Sequence, residues 1–337
     1  MIEKFGKPIN MRALRDFDSE IESNRQGQEY SSKYFDKEAS DIKKCRVCGS
    51  SDISLYFTGY NKYTRYECHN CKCVFLANLP RVEEMYGESD TLNEAFYISD
   101  EAFKSRVDII VAPKVDFVLD VCKEENLTPK SWVDIGSGGG QLLWYAKSLG
   151  MKECGIESDK AEYDFCVSKE LNVINSFVDP NNIDPSVEKV IKEADIVSMI
   201  TVLEHIENPK ALIDYLAKTM KKESLLVIEV PRHPSVSSYV CSLFPNVVYR
   251  HMDLPGHLQI FNEKTMDILY GDAFEPVGKW CFGQGFSDLI NLPLVSKEEN
   301  PIDTELYSKI MTMNNDIQKI IDSNDLGDEL LIIARKK

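Results

Sequence analysis

The chain has 337 residues and a formal net charge of −16, and the excess of acidic side chains lies entirely in its larger, C-terminal part. Residues 81–337 carry 44 acidic and 26 basic side chains, a balance that argues against a nucleic-acid partner because such binding depends on clustered lysine and arginine. The sequence has no run of 18 apolar residues, and its start, Met1-Ile2-Glu3-Lys4, is not that of a secretory signal, so we expect a soluble, cytoplasmic protein without a membrane partner.

The first 80 residues divide into a polar extension and a cysteine-rich module. Residues 1–44 are balanced in charge and are expected to be ordered only against the rest of the chain. Residues 45–80 contain two C-x-x-C pairs with nineteen residues between them, a spacing typical of a zinc ribbon. The four candidate ligands of a structural zinc are Cys45, Cys48, Cys68 and Cys71. Such a fully ligated zinc has no open position, so we expect it to be remote from any chemistry; unmetallated thiols are the alternative.

The next segment, residues 81–130, is predicted to be a helical connector that covers a ligand site. A short apolar run, Trp132–Ile135, then predicts a buried strand. It ends in four glycines within residues 136–140 and is followed by a segment of helical composition that begins at Gln141. Strand, tight turn and helix start together can hold a polar ligand on free backbone N–H groups. The dinucleotide fingerprint would require a third glycine where Gln141 stands, so that motif is absent.

Strands and helices continue to alternate after the glycine turn. Further strands are predicted over Glu153–Ile156, Asn172–Ser176, Ala194–Ile200, Ser224–Val230 and Glu329–Arg335. Pro209 is expected to open a helix, since proline is favoured at a first helical position. This alternation predicts an α/β fold with a doubly wound, mostly parallel, Rossmann-like sheet over residues 131–337, and ligands bind such sheets at the carboxyl ends of the strands.

The motifs at those strand ends resemble the class I methyltransferases that use S-adenosylmethionine (SAM). The resemblance rests on Asp134 followed by three alternating glycines, and on Leu203-Glu204-His205 with Pro209, which is similar to an "LEH…P" signature after strand four. It implies a SAM site and a ribose-binding acid at Glu157, at the end of the second strand. The residues expected to contact the cofactor are Asp134, Gly136, Gly138, Gly140, Glu157 and Thr201.

A zinc ribbon in front of such a domain resembles two groups of methyltransferases. One comprises bacterial sugar C-methyltransferases and their relatives, in which the ribbon continues as "VF…LP…E…Y"; here Val74-Phe75 and Leu79-Pro80 lead to Glu84 and Tyr86. The other is a family that methylates guanine in ribosomal RNA. The acidic charge and the fuller motif match favour the first group.

The resemblance to the sugar enzymes also implies a catalytic base in the loop after the fifth strand. That loop, residues 231–262, contains His257-Leu258 and Phe261, which match the "HL-x-x-F" core of the family motif. His257 is therefore the candidate general base, although Gly256 replaces the glutamate of that motif. His205 is the competing candidate, because "E-x-x-E-H" binds a divalent metal in ubiquinone-pathway O-methyltransferases; here the first acid is replaced by Thr201.

These observations predict a SAM-dependent methyltransferase that acts on a small polar acceptor, most simply a sugar or sugar nucleotide. RNA methylation is the alternative activity, and a methyltransferase-like binding module without turnover is the alternative class. The helical segment from Asp303 to Asn324 is expected to be a cover or a homodimer element.

Overall fold

The computed structural model describes residues 1–8, 42–59, 62–78, 100–247, 250–252, 256–297 and 304–337. Its main feature is an eight-stranded sheet with the strand order β1-β11-β12-β9-β8-β5-β6-β7. The bounds of these strands, in chain order, are β1 Ile2–Phe5, β5 Ser131–Ile135, β6 Lys152–Glu157, β7 Val173–Asn175, β8 Ile196–Ile200, β9 Leu225–Pro231, β11 Phe274–Phe282 and β12 Glu329–Lys336. The predicted doubly wound, mostly parallel sheet is confirmed: β7, β6, β5, β8 and β9 are parallel neighbours, and β12 is antiparallel to β9.

The central strands form because their side chains are buried on both faces. All seven residues of β9 are buried, and the strand is a nearly continuous Leu/Val/Ile run, as expected for a parallel strand covered by helices. Eleven α-helices flank the sheets in the described part of the chain, besides one π-helix at Val107–Val111 and two short 3₁₀ turns. The α-helices are α1 Asp100–Arg106, α2 Ala112–Glu124, α3 Gln141–Ser148, α4 Lys160–Ser168, α5 Pro185–Glu193, α6 Pro209–Thr219, α7 Val236–Leu243, α8 Glu263–Tyr270, α9 Gly285–Val295, α10 Glu305–Met311 and α11 Asn314–Ser323.

A second, four-stranded sheet contains the cysteine-rich module. Its strands are β2 Ile53–Thr58, β3 Thr64–Cys68, β4 Val74–Leu76 and β10 Gln259–Ile260, in the order β10-β4-β3-β2. The last of these belongs to the predicted loop 231–262, so this loop completes the sheet of the module. Module residues such as Val47 and Phe75 also share one buried cluster with Met199 of β8 and Leu216 of α6. The module is therefore packed onto the larger sheet and is not a separate body.

Two strands of the large sheet were not predicted. β11 pairs antiparallel with β12, and β1, in the predicted polar extension, pairs parallel with β11. The connector predicted over 81–130 is helical where the structure describes it, from α1 to α2, and α2 packs against the sheet through Phe117 and Trp280. Residues 9–41 and 79–99 lie outside the described residues. No described helix is long and apolar enough to cross a membrane.

A buried ion network ties the loop after β9 to the start of β12. The Arg250 guanidinium donates to Asp288 Oδ2 at 2.6 Å, to the Asp328 carboxylate, and to Glu329 Oε1 at 3.4 Å. Asp288 and Asp328 are fully buried. Charges removed from water in this way are tolerated only when they are paired. Because Arg250 is the cation that these three carboxylates share, its loss would leave them unpaired.

We predict that Arg250→Met lowers the free energy of unfolding by about 3–5 kcal/mol, because it leaves two buried carboxylates unpaired. Arg335→Met is the matched control: Arg335 also contacts several carboxylates, among them Glu125 and Glu275, but lies at the surface, where such pairs contribute about 0–1 kcal/mol. Denaturant unfolding of the two variants measures the difference. Equal losses in both would contradict the assignment of the buried network as the stabilising one.

Candidate functional site

A cavity of about 160 Å³ opens at the carboxyl ends of four parallel strands of the large sheet. Its lining comes from the last residues of β5 and β6, from the residues that follow β5, β6, β7 and β8, and from the first turn of α6. The lining residues are Ile135, Gly136, Ile156, Ser158, Ser176, Phe177, Val178, Thr201, Val202, His205, Ile206 and Leu212. This is the edge at which doubly wound sheets bind their ligands.

The glycine turn after β5 forms one wall of the cavity. Gly136 and Gly140 both adopt left-handed backbone conformations, with φ of 68° and 75°. A Cβ atom at Gly136 would lie 2.6 Å from Val202 Cγ2, and one at Gly140 would lie 2.5 Å from Leu171 Cδ1. Both positions therefore require glycine for conformation as well as for space. The turn leads directly into α3, whose first N–H groups have no partner within the helix.

Glu157, the acid at the end of β6, is bound to the glycine turn. Its Oε2 accepts from the backbone N–H of Gly138 and its Oε1 from that of Asp159, each at 2.8 Å. Burial raises the pKa of the Glu157 carboxyl, while these two backbone donors favour its ionised form. The carboxylate therefore stands beside the cavity, held in one orientation by the turn that it stabilises.

Asp134 lies further inside the sheet and is not among the residues that line the cavity. Ser198 Oγ donates to Asp134 Oδ1 at 2.5 Å and accepts from the Trp132 indole N–H at 2.7 Å. Burial raises the pKa of the Asp134 carboxyl to about 7. Thr201, by contrast, lines the cavity directly, with a left-handed φ of 55° and its backbone N–H bound to the Glu229 carbonyl.

The two candidate histidines, which are 52 positions apart in the sequence, lie next to each other at the edge of this cavity. The ring centroids of His205 and His257 are 5.1 Å apart, and His205 is itself part of the lining. His205 Nδ1 is 2.9 Å from the Gly256 carbonyl oxygen, and His257 Nδ1 is 3.0 Å from that of His251. A carbonyl only accepts, so in the neutral rings each Nδ1 carries the proton and each Nε2 has a lone pair.

Burial lowers the pKa of His257 to about 4, with Arg65 and Arg250 acting in the same direction. The imidazole is therefore neutral near pH 7. Beside it, Glu204 is fully buried, and neither of its carboxylate oxygens has a hydrogen-bond partner among the residues that the structure describes. The ligand atoms of Glu204, His205 and His257 lie within 4.8 Å of one another, so this group could hold a cation. Thr201, where the corresponding metal motif has an acid, supplies no carboxylate to it.

The four predicted cysteine ligands come together in the module. Their Sγ atoms lie within 4.8 Å of one another, with 3.6 Å between Cys45 and Cys71 and 3.5 Å between Cys48 and Cys68. A tetrahedral zinc with Zn–S bonds of about 2.3 Å has S–S edges of about 3.8 Å, so the four thiolates fit this ion. The module is not remote from the histidines, however: Arg65 of β3 donates to the carbonyl oxygen of His257 at 2.7 Å.

Other polar residues of the loop 231–262 form hydrogen bonds or ion pairs with other groups of the protein. Arg232 donates to Glu263 and to the carbonyl of Pro234, His233 Nδ1 contacts Ser238 Oγ at 3.0 Å, and Arg250 belongs to the buried ion network. They therefore shape the loop. Tyr249 lies outside the described residues.

The cavity is also lined by serines and apolar residues after β6 and β7, among them Ser158 and Phe177, which were not predicted as site residues. Their positions directly after predicted strands are the signal that could have indicated them.

Residues 106–271 match a family model described as a methyltransferase domain. A search of curated protein sequences gives no match.

Among solved structures, the chain is similar to a SAM-dependent methyltransferase from Archaeoglobus fulgidus, with 20% identity, a TM-score of 0.43 and coverage of 72% of this chain and 99% of that one. It is also similar to an S-adenosylmethionine-dependent methyltransferase from Clostridium acetobutylicum, with 10% identity, a TM-score of 0.45 and coverage of 73% and 99%. A third similarity is to the plantazolicin methyltransferase BamL, with 16% identity, a TM-score of 0.44 and coverage of 76% and 99%.

Residues 106–271, just under half of the chain, are thus identified as a methyltransferase domain, and they contain the glycine turn and the central parallel strands of the doubly wound sheet.

Proposed function

We propose that the enzyme methylates a small polar acceptor, a sugar or sugar nucleotide, and that the neutral His257 accepts the acceptor's proton. The observation that carries this proposal is the pair of histidines beside the cavity at the strand ends, with His257 Nδ1 turned to a carbonyl, so that its Nε2 carries the lone pair. When bound, SAM supplies an electrophilic methyl group. The protein then has to orient the acceptor and remove its proton.

The proposed cofactor site consists of the glycine turn, Glu157 and Thr201. The turn offers backbone N–H groups, the cavity has space between the strand ends, and the Glu157 carboxylate has lone pairs left for ribose hydroxyls after it accepts from Gly138 and Asp159. Asp134 lies behind the turn, where its carboxylate accepts a hydrogen bond from the Ser198 hydroxyl.

We predict that Glu157→Gln weakens SAM binding about tenfold or more, since the amide offers one acceptor oxygen where the carboxylate offers two and carries no charge. Isothermal titration calorimetry with SAM and S-adenosylhomocysteine measures this. Glu153→Gln is the matched control, because Glu153 is also buried on β6 but binds Asn172 near the other end of the strand. Parent-like affinity in Glu157→Gln, or an equal loss in both variants, would contradict the site.

The four-cysteine cluster is proposed to hold one structural zinc. The distances between its sulfurs support this, as does the small size of the module, which needs a staple to keep its short strands together. The four thiolates fill the coordination sphere and leave no position for the acceptor.

Freshly purified protein should therefore contain one equivalent of zinc by elemental analysis, and Cys48→Ser should lose it and lose stability. Cys73→Ser is the control, because Cys73 is a buried thiol of the same module outside the four ligands and should leave the zinc content unchanged. Clearly less than one equivalent in the parent, or full occupancy in Cys48→Ser, would show that the cluster is not a zinc site.

The choice of a sugar as acceptor rests on the resemblance of His257–Phe261 and of the cysteine module to the sugar enzymes. The strongly acidic charge of residues 81–337 argues against RNA, the alternative acceptor, because phosphate contacts require basic side chains. Transfer of label from radioactive SAM to a panel of nucleotide sugars, compared with total RNA, tests the choice. Labelled RNA with a steep dependence on salt would overturn it.

With a labelled acceptor in hand, His257→Ala should keep its SAM affinity and lose a factor of about 10²–10⁴ in kcat, the usual contribution of a general base. His205→Ala should lose less, and His69→Ala, on the exposed side of the module, should behave as the parent.

Since protonation inactivates the base, the acid limb of the parent's rate profile should lie near pH 4, the value to which burial lowers the pKa of His257. A kcat within about threefold of the parent in His257→Ala would exclude this role.

A further inference from the structure

The cysteine module holds the backbone of the loop that bears His257. β4 of the module pairs with β10 in the register Val74 with Ile260 and Phe75 with Gln259. The ladder continues one step further, because the Leu76 N–H donates to the Leu258 carbonyl at 2.8 Å. The residue that follows His257 is therefore the first one fixed by this sheet.

Arg65, on the neighbouring strand β3, extends this hold to His257 itself. Arg65 pairs with Leu76 across the two strands, and its guanidinium donates to the His257 carbonyl oxygen at 2.7 Å. The Arg65 residue is 0% exposed. A guanidinium removed from water is costly unless strong acceptors surround it, so its burial at this point favours a specific function for the contact.

The opposite side of the same loop is attached to the SAM-binding domain. The Leu258 N–H donates to the Glu204 carbonyl at 2.8 Å, and the Gly256 carbonyl faces His205 Nδ1 at 2.9 Å. His257 thus lies between two supports, with the module holding its carbonyl and the segment after β8 holding its neighbours. Its ring orientation, set by the contact of Nδ1 with the His251 carbonyl, depends on this backbone position.

We propose that Arg65 is a positioning residue, through which the cysteine module sets the orientation and the tautomer of His257. The inference rests on the proposed role of His257, which it deepens: the module becomes part of the machinery that orients the base. The groups that face His257 are Arg65 and the Phe75–Leu76 edge on the module side, Glu204 and His205 after β8, and Arg250 and His251 within its own loop.

The test needs no acceptor. NMR of the full-length protein labelled with ¹⁵N-histidine reports which ring nitrogen of His257 carries the proton near pH 7, with the signal assigned by its absence in His257→Gln. Hydrogen exchange of the Leu258 amide reports how firmly the loop is held. The variants are Arg65→Met, which removes the donor while keeping much of the length of the side chain, and Arg65→Lys, which keeps a charge but not the planar guanidinium.

In the parent we expect a single His257 tautomer with the proton on Nδ1. In Arg65→Met we expect a mixture of tautomers and about tenfold faster exchange at Leu258, as for the loss of one charge-assisted hydrogen bond. The Gly136 amide, which is bound to the Ile156 carbonyl in the glycine turn, should exchange as before, and SAM affinity should persist. In Arg65→Lys, the tautomer mixture and the exchange rate at Leu258 should change in the same direction by a smaller amount. If Arg65→Met does not bind SAM, the result for Arg65→Lys decides the test.

Lys264→Met is the matched control, because Lys264 joins α8 to the module through the Asn70 carbonyl without contacting His257. It should leave the tautomer unchanged. A parent-like tautomer and exchange rate in an Arg65 variant that binds SAM would overturn the inference, and so would the same change in Lys264→Met. Failure of the proposed base would be seen separately, as normal turnover in His257→Ala with the NMR result intact.

Discussion

The glycine turn between β5 and α3 is the constraint on which the rest of the site depends. It reverses the chain within five residues, and Gly136 and Gly140 do so in conformations that other residues rarely adopt. Its backbone is tied to β6 twice, through the Ile156 carbonyl and through the carboxylate of Glu157. The helix start, the ribose-binding candidate and the wall of the cavity are consequently one rigid unit, and the ends of β7 and β8 close the remaining sides.

The loop after β9, which contains His257, is supported by the cysteine module. The only strand of the described part of the loop after β9, β10, has two residues and is paired with β4 of the cysteine module. Thr265 of α8 also donates to the Cys71 carbonyl, directly at the cluster. The module is therefore a support for both the end of this loop and the start of α8.

Buried acids are concentrated at the same edge of the sheet. Glu204 has no hydrogen-bond partner for its carboxylate, and Glu229 and Glu329 each have one buried oxygen without a partner among the described residues. Lys114 pairs with the other oxygen of Glu229 at 2.6 Å. Burial raises the pKa of Glu204, and raises that of Glu329 to about 8. Such shifted carboxyl groups cost stability in a folded domain, and their accumulation at the ligand edge agrees with a site built for binding and chemistry.

The sequence by itself determined the local features: the strand, turn and helix around Gly136, the cysteine spacing, and the alternation that specifies a doubly wound sheet. It did not indicate β11, whose nine residues include Glu275, Pro276, Gly278 and Lys279 and show no simple strand pattern, and it gave no sign that the module contacts the segment of His257. Only the tertiary structure brought His257 to His205 and Arg65 to His257. The reason is physical: turns, caps and periodic burial are set by neighbouring residues, whereas a contact across 192 positions of the chain leaves no pattern in either segment.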